Sequence, residues 1–150
     1  MRFLYPALLQ RTGVDEIVVS FRDLPECLTS GVDEAEALAE AQDALEEAIA
    51  GRIDDGEPIP VPSARQAGER YVVVPPDMAA KAALALVFRE RGLTRVAFAQ
   101  QLGTDEQAVG RLLDPRHGTD ASRINSALRV LGRELVVGVQ EAAPLRGVSG

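Results

Sequence analysis

Arg95-Val-Ala-Phe-Ala-Gln-Gln-Leu-Gly-Thr-Asp-Glu-Gln-Ala-Val-Gly-Arg-Leu-Leu113 decides how the C-terminal half of this chain is read. Ala99 is small where two helices would cross closely. Gly103 sits at a turn, where a positive φ is cheap only without a Cβ. Val109 and Leu112, three apart, form the apolar face of a second short helix folded back on the first. Thr104 with Gln107 reads as a capping box that starts this second helix straight after the turn. A helix-turn-helix of this kind lays its second helix in the DNA major groove. Plain helical hairpins are common, but small, Gly, Val and Leu residues at these spacings together favour DNA.

Working outward, Asp77 caps a helix expected to run to about Arg91, with Ala82, Ala85, Leu86 and Phe88 inward, and Gly92 ends it. Thr94 caps the first helix of the pair. After the reading helix, Asp114-Pro-Arg-His-Gly-Thr119 is a loop, and Ser122 to Leu131 is a further helix. Glu134-Leu-Val-Val-Gly-Val-Gln140 reads as a strand. A lone strand behind a helical bundle has unpaired backbone groups that want a partner. Pairing with the same strand of a second copy satisfies them and gives a symmetric dimer, with Leu135, Val136, Val137 and Val139 in the seam.

The N-terminal half reads differently. Strands are expected from Phe3 to Leu9, from Glu16 to Phe21 and from Cys27 to Ser30, with turns at Gly13-Val-Asp15 and Asp23-Leu-Pro25. A helix follows from about Glu34 to Ala50, opened by Asp33 and Glu36 and stopped by Gly51. Its apolar stripe is Ala35, Leu38, Ala41, Leu45, Ala48 and Ile49. Glu36, Glu40, Asp43 and Glu47 recur on the opposite side; a charge run there is ordinarily just a solvated face, but it also suits a basic partner. Gly56-Glu-Pro-Ile-Pro-Val-Pro-Ser63 disfavours both helix and central strand. Tyr71-Val-Val-Val74 then reads as a strand returning to the first module. The expected architecture is α+β: a small antiparallel or mixed sheet with one helix, then a helical helix-turn-helix domain ending in a strand. The expected domains are 1–63, a linker and strand over 64–76, a DNA-binding and dimerisation domain over 77–140, and a flexible tail over 141–150.

Charge separates the halves. The chain carries −7 overall. Residues 1–63 hold four arginines against fourteen Asp and Glu, a net of −10, whereas residues 64–150 carry a net of +3. The acidic half attracts a basic protein and the other half can approach phosphates. Gln107 is able to make a bidentate contact to adenine, and Arg111 to guanine. With Asp105, Glu106 and Gly110 they are the expected base contacts. Thr94, Arg95, Arg116, His117 and Arg123 are the expected phosphate contacts.

Catalysis finds little support. His117 is the only histidine and Cys27 the only cysteine. No glycine loop to cradle phosphate is present, and nothing calls for a cofactor or a metal. The N-terminus has no long apolar signal segment, and no run approaches the roughly 20 apolar residues of a membrane span. A cytoplasmic location is expected.

Residues 4–63 resemble the N-terminal domain of HicB-type antitoxins. The matching runs are Tyr5-Pro-Ala7, Val18-Val-Ser-Phe21, Asp23-Leu-Pro25 with Cys27, Thr29 and Gly31, Glu34-Ala35, Ala37-Leu38, Asp55-Gly-Glu-Pro-Ile-Pro60 and Pro62-Ser63. Residues 71–140 resemble the second domain of that family's helix-turn-helix branch, including Leu113-Asp-Pro-Arg116 and Leu131-Gly-Arg-Glu-Leu135. The resemblance implies a partial RNase H-like fold without nuclease activity in the first module. It implies a HicA-type toxin as partner, a small basic mRNA-cleaving ribonuclease whose active site the antitoxin covers. It also implies repression of the operon by operator binding at an inverted repeat, and dimers or tetramers. Asp23, Leu24 and Pro25, with the four helix carboxylates, are the residues expected to meet the toxin. The alternative is a stand-alone dimeric transcriptional regulator whose first module senses a small ligand.

Overall fold

The computed structural model describes residues 1–142. They form two compact units. The first is Met1–Ala48 with Pro60–Pro75 and residues 139–142; the second is Ile49–Ile59 with Pro76–Gly138. The second unit thus takes residues 49–59, the end of the N-terminal helix and the stretch after it. Most of the expected flexible tail, 143–150, lies outside the described residues.

The sheet of the first unit is antiparallel throughout, in the order β3-β2-β1-β4. Strand β1 (Leu4–Gly13) turns through residues 14 and 15 into β2 (Glu16–Ser20), and β3 (Leu28–Gly31) pairs outside β2. Strand β4 (Glu69–Val73) lies on the other side of β1, with Leu4 opposite Val73 and Leu8 opposite Glu69. Side chains alternate across a strand. Accordingly Tyr5 and Ala7, Ile17 and Val19, and Val72 are buried.

Helix α1 (Glu34–Asp54) is opened by Asp33, whose Oδ1 accepts from Glu36 N at 2.8 Å. Gly31 lets it come close: a Cβ there would stand 2.3 Å from Ala37 N. Gln42 Nε2 donates to Val73 O at 3.0 Å and ties the helix to β4. Two details correct the sequence reading. Ala37 joins Ala41, Leu45 and Ile49 in the fully buried stripe, while Ala35, Leu38 and Ala48 are half-buried. In an alanine-rich helix several phases look apolar, and packing selects one. Nor does the helix stop at Gly51. It continues to Asp54 and ends at Gly56, where φ is +66°. Gly56 N donates to Ile53 O and Glu57 N to Arg52 O, the paired bonds that close a helix on a left-handed residue.

The end of the Pro-rich stretch and the segment expected as a linker are both fastened within the first unit. Tyr5 Oη donates to Pro60 O at 2.7 Å. The Asp23 carboxylate accepts from Ser63 N and Ser63 Oγ at 2.8 and 2.6 Å. Glu69 is buried and accepts from Arg22 Nε at 2.9 Å and Gln66 N at 2.7 Å. These polar residues satisfy one another.

The second unit packs α2 (Pro76–Arg91), α3 (Arg95–Leu102), α4 (Glu106–Leu113) and α5 (Ala121–Val130) around Leu84, Val87, Phe98, Val109, Leu112, Ile124, Leu128 and Leu131. Each such side chain contributes about 1.5–3 kcal/mol on burial. The Phe88 and Phe98 rings meet with centroids 5.3 Å apart. Ala82 faces inward as expected, but Met78, Ala80, Lys81, Leu84 and Val87 do so too, and Ala85, Leu86 and Phe88 are half-buried. Residues 134–140 form no strand and pair with none of the four strands of the sheet. Val136, Val137 and Val139 are almost fully exposed. Leu135 differs: it packs against the helical core, and its N–H donates to Asn125 Oδ1 at 2.8 Å.

Candidate functional site

The α3–turn–α4 pair is fixed by local chemistry at each joint. Thr94 is the N-cap of α3, its Oγ1 accepting from Ala97 N at 3.0 Å. Gly103 adopts φ 70° and ψ 34°, and Thr104 N reaches back to Ala99 O at 2.9 Å. The second helix is capped by Asp105, not Thr104: Asp105 Oδ1 accepts from Ala108 N at 2.8 Å. Thr104 is already spent on the turn through its backbone. The carboxylate of Asp105, expected at bases, therefore has a structural task at the positive end of α4.

Helix α4 buries Ala108, Val109 and Leu112 and exposes Glu106, Gln107 and Arg111. Gly110 is half-buried beside Arg95. A Cβ on Gly110 would meet Arg95 Nη1 at 3.6 Å, an ordinary contact, so the fold does not require glycine there. Beyond α4, a polar concavity of about 120 Å³ brings together Arg111, His117 and Arg123, floored by Ala108, Leu112 and Thr119. Asp120 caps α5 from its rim, accepting from Arg123 N at 2.9 Å. Thr94 and Arg95 stand exposed at the start of α3, outside this concavity. Arg116 is exposed and its guanidinium pairs with Asp54 at 3.2 Å.

Sequence reasoning missed Lys81. Its Nζ donates to Arg111 O at 3.0 Å, Leu112 O at 2.9 Å and Thr119 Oγ1 at 2.8 Å. Burial pushes its ammonium pKa below the usual lysine range, while Asp114 works the other way. The signal was present: Lys81 lies three residues from both Met78 and Leu84, on the apolar side of α2.

In the first unit the expected partner-binding residues separate. Leu24 is fully buried and belongs to the core. Asp23 is half-buried with its carboxylate bound to Ser63, and Pro25 is exposed. On α1, Asp43 and Glu47 are exposed and Glu36 and Glu40 half-buried. Arg70 pairs with Glu34 near the start of this helix. The Cys27 thiol is buried and pushed up to about 11 by that burial, so it is protonated near neutral pH. Among the described residues no three His, Cys, Asp or Glu side chains group as metal ligands would, and no helix is long and apolar enough to cross a membrane.

Comparison with known proteins bears on this arrangement. Residues 4–83 match the model of a family described as HicB-like antitoxin of bacterial toxin-antitoxin system. The chain belongs to the HicB-like antitoxin family. It is 34% identical to Antitoxin HicB 1 of Photorhabdus laumondii over 91% of this chain and 86% of that one. It is 34% identical to Antitoxin HicB of Escherichia coli K12, covering 87% of this chain and 95% of that one. Antitoxin HicB 2 of Photorhabdus laumondii is 39% identical over 78% of this chain. The family match spans the sheet, α1 and the start of α2. The full-length relatives extend the likeness through α3 and α4.

Proposed function

We propose that this HicB-like antitoxin neutralises a small HicA-type mRNA-cleaving toxin with its first unit and represses its own operon with its second. The carrying observation is the α3–turn–α4 geometry. An amphipathic helix shows Gln107 and Arg111 outward, with Gly110 half-buried between them, next to a concavity lined by Arg111, His117 and Arg123. Outward Gln and Arg suit base edges in the major groove, and clustered cations suit the flanking phosphates. Glu106 and Gln107 take the first turn of the reading helix, and Arg95, Arg116 and Thr94 serve as further backbone contacts. A net of +3 in the C-terminal half binds weakly alone, so two copies act together through Val136, Val137 and Val139 and read an inverted repeat. Toxin binding uses the acidic side of α1, with Asp43 and Glu47 most accessible, and takes place in the cytoplasm.

The test is co-expression of the full chain with the adjacent small open reading frame, followed by size exclusion and a gel shift on the operon's own promoter. A stable complex and preference for an inverted repeat over random duplex are expected. Absence of a toxin-sized neighbour, or equal affinity for both duplexes, rejects the corresponding half of the proposal.

A further inference from the structure

Of the five helices among the described residues, four end on a glycine in the left-handed region: α1 on Gly56, α2 on Gly92, α3 on Gly103, and α5 with Gly132 just beyond Leu131. Helix α4 does not. Its C-cap is Asp114 at φ −78° and ψ 115°, an extended residue, with Pro115 next. Such an end leaves the last carbonyls of the helix without the amide partners a glycine cap provides. In their place stands one ammonium. Lys81 has three donors, and all three are used, on the carbonyls of Arg111 and Leu112 and on Thr119 Oγ1. A positive charge at the negative end of a helix is favourable, most of all where water is excluded. Lys81 is 5% exposed.

The acceptors matter as much as the cap. Arg111 is the outward cation of α4, and Leu112 and Thr119 line the concavity that holds His117 and Arg123. One buried cation thus joins the end of the reading helix to the loop behind it. We propose that Lys81 is a positioning residue for operator recognition, holding α4 and the 114–120 loop in one rigid register without touching DNA. This rests on the reading of α4 as the DNA-reading helix.

The experiment compares the full-length wild-type chain with Lys81→Met, Thr119→Val and Arg123→Ala, in titrations against operator and random duplex at several salt concentrations. Circular dichroism first establishes folding well below each melting temperature. Lys81→Met is expected to weaken operator binding at least about 30-fold while random-duplex binding changes by less than about 3-fold, since the surface cations remain. Its salt slope on operator is expected to match wild type, because no phosphate contact is lost. Arg123→Ala is expected to lower that slope by about 1. A folded Lys81→Met with wild-type operator affinity overturns the proposal, and so does a reduced salt slope, which makes Lys81 a direct phosphate contact. Should Lys81→Met fail to fold, Thr119→Val decides. It removes one of three acceptors and is expected to cost operator affinity about 3-fold or more at an unchanged slope; no loss overturns the proposal. A wild-type chain that ignores its operator rejects the DNA reading itself, and the role of Lys81 with it.

Discussion

Gly110 sits inside a helix where its chain neighbours leave room for a side chain. Glycine in a helix interior costs roughly 0.5–1 kcal/mol relative to alanine. Gly110→Ala is therefore expected to raise the melting temperature and, if α4 enters the groove, to weaken operator binding by 5-fold or more as the methyl meets the bases (~1 kcal/mol). Tighter binding by the more stable variant would remove Gly110 from the interface. Leu24 behaves oppositely. It is fully buried, so Leu24→Ala is expected to destabilise the fold by about 2–5 kcal/mol in urea titrations. An unchanged midpoint would return it to the surface. Glu69 carries a pH signature. The hydrogen bond from Arg22, then the one from Gln66 N, hold its carboxyl below the usual range. A depressed carboxylate stabilises the fold above its unfolded-state value, about 4.3, and that contribution is lost as pH falls through the lower folded-state value. Glu69→Gln is expected to flatten the acid limb of stability against pH, and an acid limb as steep as wild type's would deny the pair this role.

At the scale of elements, the sequence was legible where signals do not compete. The turn at Gly103, the cap at Thr94 and the inward Val109 and Leu112 stand as their residue types dictate. The sequence misled where a second residue able to do the same task lay a few positions on. Gly51 reads as the stop of α1, yet the chain continues to Gly56 because Ile49 and Ala50 are buried and Ile53 is half-buried beyond them. Thr104 reads as the cap of α4, but the turn takes it for its backbone and Asp105 next to it caps the helix. The valine-rich segment from 135 to 139 is β-prone but has no ladder within its own chain. If a second copy supplies it, Val136→Asp together with Val137→Asp is expected to convert a dimer to a monomer by light scattering. A persisting dimer would move the seam elsewhere.

For the whole molecule, charge was visible in the residue order: −10 over residues 1–63 and +3 over the remainder. Toxin capture resting on that charge is expected to weaken steeply as salt rises from 0.05 to about 1 M, where the screening length shrinks to about 3 Å. A complex indifferent to salt would shift the weight to apolar contacts. The sequence by itself determined the composition of each half, the α3–turn–α4 spacing and the family, because capping, glycine turns and hydrophobic period act over a few neighbouring residues. Only the tertiary structure decided that Lys81 closes α4, that Glu69 answers Arg22, and that Leu24 is core. Lys81 and Arg111 lie 30 positions apart, Arg22 and Glu69 47 apart. No local rule connects residues at such distances; packing and the need to satisfy every buried polar group do.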